Sequence, residues 1–185
     1  NRGECLGLVG ESGSGKTTVS KLIMKALEAT SGSVHLNTGQ GMKDVLSLEG
    51  RELMDFRRRV QMIFQDPYSS LNPRMTIQNI LNEPYVIHGL ANENSQQDDI
   101  LDLIRLVGME SNCLNRYPHS FSGGQRQRIC IARALIVKPE FIICDEATSA
   151  LDVSVQASIL NLLKSLQEEM GITYLFITHD LSVVE

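Results

Sequence analysis

The run Gly10-Glu11-Ser12-Gly13-Ser14-Gly15-Lys16-Thr17 constrains this chain more than any other stretch. It fits the pattern G-x-x-x-x-G-K-[ST], in which a short loop wraps an anion, sets one cation beside it and offers one hydroxyl. Gly10, Gly13 and Gly15 are expected to take backbone conformations that side chains resist, turning N–H groups inward as an anion-binding nest. Lys16 supplies a point charge, and Thr17 a hydroxyl for Mg²⁺. These residues, with Thr18 after them, are the candidate phosphate contacts. A glycine-rich turn also occurs where a chain merely bends, so the flanks decide.

Cys5 to Val9 is a short apolar run bounded by glycine, the pattern of a buried parallel strand. After Lys16, the residues Val19, Leu22, Ile23, Ala26 and Leu27 recur at helical spacing, with Ser31-Gly32 as a stop. Strand, loop and helix therefore come in the order a phosphate site requires. The unpaired N–H groups at the helix start then favour an anion in the loop.

With 185 residues, 42% of them hydrophobic, the chain can bury one core, with room for an inserted lobe. No apolar run approaches the roughly 20 residues of a bilayer span, and no signal peptide is visible, so a soluble protein is expected. Cys5, Cys113, Cys130 and Cys144 lack paired metal-ligand spacing and read as reduced core thiols of a cytosolic protein. A net charge of −5 and the absence of Trp argue against a nucleic-acid surface. The chain opens on Asn1 beside its first strand and stops at Glu185, just inside a helix suggested by Leu181, Val183 and Val184. Both ends are expected to be truncated.

Ser33 to Asn37 reads as a short strand, followed by a polar loop through Gly39 and Gly41. Leu53 to Arg59 reads as a short helix whose Arg57-Arg58-Arg59 run is a solvated face. Val60, Met62 and Phe64 alternate with Gln61 and Ile63 as a strand does, and Pro67 ends it, leaving Gln65 at its tip. From 67 to 119 the texture changes: Pro67, Pro73, Pro84 and Pro118 punctuate helical segments, and no strand is convincing. His88 and His119 there lack partners at ligand spacing and read as structural or surface residues.

Beyond Ser122-Gly123-Gly124-Gln125, a helix marked by Ile129, Ala132, Leu135 and Ile136 runs to Pro139. The apolar strand Phe141 to Cys144 ends in Asp145-Glu146. A long amphipathic helix, a stop at Gly171 and a strand from Ile172 to Ile177, ending in Thr178-His179-Asp180, complete the pattern. The fold class is thus α/β: a P-loop NTPase core (1–66 and 120–185) with a mostly parallel sheet flanked by helices, and an inserted helical subdomain (67–119). Ligands of such sheets lie beyond the carboxyl ends of the strands, where Gly10 to Thr17, Gln65, Asp145, Glu146 and His179 all fall.

A nucleoside triphosphate with Mg²⁺ is the ligand that uses these groups. Phosphoryl transfer needs charge neutralisation and an in-line nucleophile more than covalent help. Lys16 and the loop amides would hold phosphates, while Thr17, Asp145 and Gln65 are the candidate metal contacts. Glu146 is the candidate acceptor of a proton from the attacking water. His179 and Gln65 are placed to hold that water or the γ-phosphate. Ser122 to Gln125 offers a hydroxyl and flexible backbone at a second helix N-terminus, a further phosphate site that one nucleotide does not obviously need.

Together these residues resemble the nucleotide-binding domain of an ATP-binding cassette (ABC) protein over nearly the whole chain. Its inner motifs appear in order: the phosphate loop, the Q-loop Gln65, the signature Phe121 to Gln125, Phe141 to Glu146, the D-loop Ser149-Ala150-Leu151-Asp152 and the switch His179. Gln65-Asp66-Pro67, Ser70 to Arg74, Tyr117-Pro118-His119 and Asp145 to Ser154 are similar to the ATPases of oligopeptide, dipeptide and nickel importers. Importers of other solutes and some phosphonate-metabolism ATPases share much of this.

The resemblance implies a head-to-tail dimer with a second ABC ATPase subunit, identical or related, each signature (with Asp152 of the D-loop nearby) capping the ATP on the other's phosphate loop. It implies integral membrane permease subunits, a solute-binding protein delivering substrate, and a place on the cytoplasmic face of the membrane, with no nucleic-acid partner. Phe121 departs from the usual leucine, the adenine-stacking aromatic would lie before Asn1, and the subfamily's C-terminal segment is absent. A non-transport regulatory or assembly ATPase is the alternative. A DNA-repair type would carry a long coiled coil where this chain has a short, proline-broken insert.

Overall fold

The computed structural model describes residues 1–37, 41–90 and 93–180. Four parallel strands form the main sheet: β1 (Cys5–Val9), β4 (Val60–Ile63), β5 (Phe141–Asp145) and β6 (Thr173–Thr178), in the order β1-β6-β5-β4. Cys5 pairs with Tyr174, and Val60 with Phe141, so all four strands run toward one edge in register. A separate antiparallel hairpin joins β2 (His35–Asn37) to β3 (Met42–Asp44). The helices are α1 (Lys16–Ile23), α2 (Gly50–Arg59), α3 (Ile77–Ile87), α4 (Glu93–Leu106), α5 (Gly123–Leu135) and α6 (Val153–Met170).

The period-two alternation of strands divides the core between the two sheet faces. Ile142, Cys144, Tyr174 and Phe176 point to one side and join Ile129, Ile159 and Leu163 from α5 and α6 in the larger cluster. Ile77, Ile80 and Leu81 of α3 and Ile104 of α4 belong to the same cluster, so the helical stretch and the sheet share one apolar interior. Ile143, Leu175 and Ile177 point the other way, onto Val45, Phe56 and Val60.

Several expectations shift. The strand read as buried, β1, is an edge strand bonded to β6 on one side only; Leu6 is 60% exposed. Cys5 at its start is exposed, whereas Cys113, Cys130 and Cys144 are buried; all four are free. The helix expected to reach Leu27 stops at Ile23, with Lys25 at a left-handed φ of 48°. There the Lys25 ammonium bonds the Leu48 carbonyl and Arg57 donates to the Lys25 carbonyl, so tertiary bonds capture the chain before its helical periodicity ends. Arg59 forms a two-pronged ion pair with Glu140 at 2.9 and 3.1 Å, so two of the three arginines read as a solvated face brace the fold. Pro84 lies within α3 instead of breaking it. Gly39 and the helix suggested by Leu181 fall outside the described residues.

Candidate functional site

The loop after β1 is built as a concave nest. Gly13 (φ 82°) and Gly15 (φ 94°) occupy the left-handed region, where a side chain would strain the backbone. Gly10 does not; its constraint is space, since a Cβ there would lie 3.1 Å from Ser14 Oγ. Gly15 is the N-cap of α1 and provides no capping side chain. Among the described residues, the amides of Gly13, Gly15, Lys16, Thr17 and Thr18 have no backbone acceptor. Lys16, only 7% exposed, folds over the loop, its Nζ donating to the carbonyls of Gly10 (2.7 Å) and Glu11 (2.8 Å). Free donors around a buried cation suit a phosphate.

Thr17 Oγ1 donates to Asp145 Oδ1 at 3.1 Å, joining residues 128 positions apart. Asp145, the last residue of β5, is buried. That burial pushes its carboxyl pKa up, Thr17's hydrogen bond pulls it down, and the charge of Glu146 pushes it up again. Two hard oxygen donors side by side fit Mg²⁺, which takes one or two protein oxygens and completes its shell with phosphates and water. Among the described residues no group of three His, Cys, Asp or Glu could hold a metal alone.

Asp145 and Glu146 diverge. Glu146 has a left-handed φ of 48°, and its amide donates to the Ile177 carbonyl (2.9 Å), locking the end of β5 to β6. Its Oε2 accepts from Gln65 Nε2 at 2.9 Å and lies 3.3 Å from His179 Nδ1. Among the described residues Gln65 is hydrogen-bonded to Glu146, and no hydrogen bond joins it to Thr17 or Asp145. Ser149, placed by the sequence only within the D-loop, lies 3.4 Å from Gln65 Nε2 and donates to the Glu146 carbonyl. A cavity of about 70 Å³ among Glu146, Ser149, Gln156 and His179 has room for water.

Ser122 begins α5 with a capping box: its Oγ accepts from the Gln125 amide (3.4 Å), and Gln125 Oε1 accepts from the Ser122 amide (3.0 Å). Neither Gly123 nor Gly124 has a positive φ, so neither position calls on glycine's left-handed freedom. They are glycines for packing. A Cβ on Gly124 would lie 2.5 Å from Val155 Cγ1, and one on Gly123 would lie 3.3 Å from Leu151 Cδ2. Asp152 caps α6 by accepting from the Val155 amide (3.0 Å) and the Ser154 hydroxyl (2.8 Å). Among the described residues, no hydrogen bond or ion pair joins Ser122–Gln125 to the phosphate loop. The structure thus gathers Lys16, Thr17 and Asp145 in one group and Gln65, Glu146 and His179 in an adjoining one, and leaves the second phosphate-type site apart.

The ABC transporter family profile matches residues 1–149. The chain is 55% identical over 185 residues to the oligopeptide transport ATP-binding protein OppF of Bacillus subtilis (strain 168), covering all of this chain and 60% of that protein. It is 52% identical over 186 residues to the dipeptide transport ATP-binding protein DppF of Lactococcus lactis subsp. cremoris (strain MG1363), covering 99% of this chain and 58% of that one. The chain thus spans about three-fifths of the length of these relatives. A dimeric post-hydrolysis state of the ATP-binding cassette MJ0796, bound to ADP and Pi, superposes with a TM-score of 0.83 at 32% identity, over 99% of this chain and 78% of that one. The structure of cbiO1 from Clostridium perfringens, part of the ABC transporter complex cbiONQ, superposes at 0.84 with 27% identity, over 100% of this chain and 70% of that one. The resemblance read from the sequence therefore holds, and the chain belongs to the ABC transporter family.

Proposed function

We propose that the chain is the ATP-binding and ATP-hydrolysing part of a transporter subunit that powers import of peptides or similar small solutes. The observation that carries the chemistry is the Thr17–Asp145 hydrogen bond. It closes the loop hydroxyl onto the buried strand-end acid. Lys16 and the loop amides hold the β- and γ-phosphates, while Thr17 and Asp145 are the residues that would hold Mg²⁺. Bound there, Mg²⁺ would neutralise charge on the β- and γ-oxygens. Glu146 accepts the proton of the attacking water as its oxygen bonds the γ-phosphorus and the bond to the β-phosphate oxygen breaks. Gln65 and His179, both on Glu146, hold that carboxylate and the water in line.

The separate α5 terminus is the reason to infer a shared site. Ser122 to Gln125 presents a capped helix N-terminus that the chain's own phosphate loop does not meet. A second ABC ATPase, identical or related, would place its loop there head to tail; the dimeric state of the MJ0796 cassette supports pairing of such domains. Permease subunits in the membrane and a solute-binding protein complete the assembly, with the ATPase chain on the cytoplasmic face of the membrane. None of the described helices is long and apolar enough to cross a membrane.

Lys16→Ala tests the reading. Loss of one charge-assisted contact of about 3 kcal/mol predicts ATP affinity roughly 100-fold weaker, measured by titration calorimetry on the full-length protein. Unchanged affinity would remove the phosphate-loop assignment.

A further inference from the structure

The turn from Gln65 to Ser70 is fastened to α5 by contacts that the ATP chemistry above does not require. Asp66 organises it: its carboxylate accepts from the amides of Tyr68 (2.8 Å) and Ser69 (3.3 Å), and its carbonyl accepts from Ser70 Oγ (2.6 Å). The Tyr68 ring then lies under the Arg126 guanidinium, 4.1 Å from carbon to ring centroid. Arg126 Nε donates to the Phe121 carbonyl at 3.0 Å, fixing the residue just before the Ser122 cap. The Tyr68 hydroxyl also comes within 3.5 Å of where a Gly123 Cβ would stand. Farther along α5, Arg133 donates to the Ser70 carbonyl, so the helix grips the turn twice.

We propose that Tyr68 and Arg126 are positioning residues that tie the orientation of the Ser122 helix terminus to the state of Gln65. This rests on the shared-site reading above. Gln65 touches Glu146, and the next residue, Asp66, anchors a turn stiffened by its own hydrogen bonds. A change in the Gln65–Glu146 contact is therefore delivered through Tyr68 and Arg126 to Phe121 and Ser122 as a displacement of the capped terminus. In a head-to-tail pair that terminus faces the other chain's nucleotide. The contact makes each chain's hydrolytic state legible at the opposite site. Tyr68 is 56% exposed, so its ring is spent on this contact and not on the core.

Spatial continuity alone does not establish coupling; a double-mutant cycle does. The full-length protein in its assembled dimer is compared as wild type, Tyr68→Phe, Tyr68→Ala, Arg126→Ala and the double alanine variant, reading kcat, KM and the ATP affinity of the single chain. Tyr68→Ala and Arg126→Ala each lower kcat about tenfold, with ATP affinity unchanged within about twofold, and the double variant is no worse than either. Tyr68→Phe keeps the ring face and retains turnover within about twofold. Wild-type turnover in Tyr68→Ala, equal losses in Phe and Ala, losses that multiply, or a parallel loss of ATP affinity each overturn the proposal. Ser122→Arg measured alongside separates the two levels. Suppressed turnover there with normal Tyr68→Ala turnover sinks the tether alone, whereas full turnover in Ser122→Arg sinks the shared-site reading beneath it.

Discussion

A methyl group added at Gly124 would lie 2.5 Å from Val155 Cγ1, and Val155, β-branched on a helix, has little rotamer freedom with which to yield. Overpacking of this kind costs about 1–3 kcal/mol, against about 1 kcal/mol regained from alanine's helix propensity. Gly124→Ala should therefore lower the melting temperature, and Val155→Ala in the same chain should restore most of it; an unshifted melting temperature would show that α5 and α6 yield without cost. The pattern Ser-Gly-Gly-Gln announces small residues at a helix start. It does not say why they are small, because the neighbour that excludes a side chain lies on another helix. Lys16, Thr17 and Asp145 were readable because their spacing and strand context encode chemistry directly. The Gln65–Glu146 contact was not, since only the fold decides which strand-end acid a glutamine meets. Glu146 itself sits in a backbone region unfavourable to its side chain, at the position to which hydrolysis is assigned.

At the scale of elements, α6 depends on its start. Asp152 accepts the Val155 amide and the Ser154 hydroxyl, and these bonds hold its carboxyl below the usual aspartate range. A pKa depressed in the folded state means stability present above the unfolded pKa and lost as pH falls through the folded one. Asp152→Ala should thus melt below wild type at pH 7, with the gap narrowing as pH drops below about 4. Asp152→Asn, which keeps an acceptor, should recover much of the loss. A gap that stays constant with pH would assign the effect to something other than the ionised cap. The element order was legible from periodicity and from the stops at Pro67, Pro139 and Gly171. Ends and neighbours were not. Helix α1 stops early because Leu48 and Arg57 bond Lys25; β1 is exposed because only β6 flanks it; β3 is the triplet Met42-Lys43-Asp44, too short for alternation to betray it.

At the scale of the molecule, parallel strand order does the assembling. Adjacent strands β1, β6, β5 and β4 end on one edge, so the phosphate loop, His179, Asp145-Glu146 and Gln65 converge without a contact between them being specified locally. The same geometry leaves Ser122 to Gln125 outside that group, and this separation is what makes a partner chain necessary to the account. The most direct test reads nucleotide affinity and ATP turnover on one preparation of the full-length Ser122→Arg protein in its assembly. ATP affinity should stay within about twofold of wild type, because the chain's own loop is untouched, and turnover should fall at least about 100-fold, because a neighbouring nucleotide loses its cap. Turnover equal to wild type, or ATP affinity lost together with turnover, would contradict the shared site.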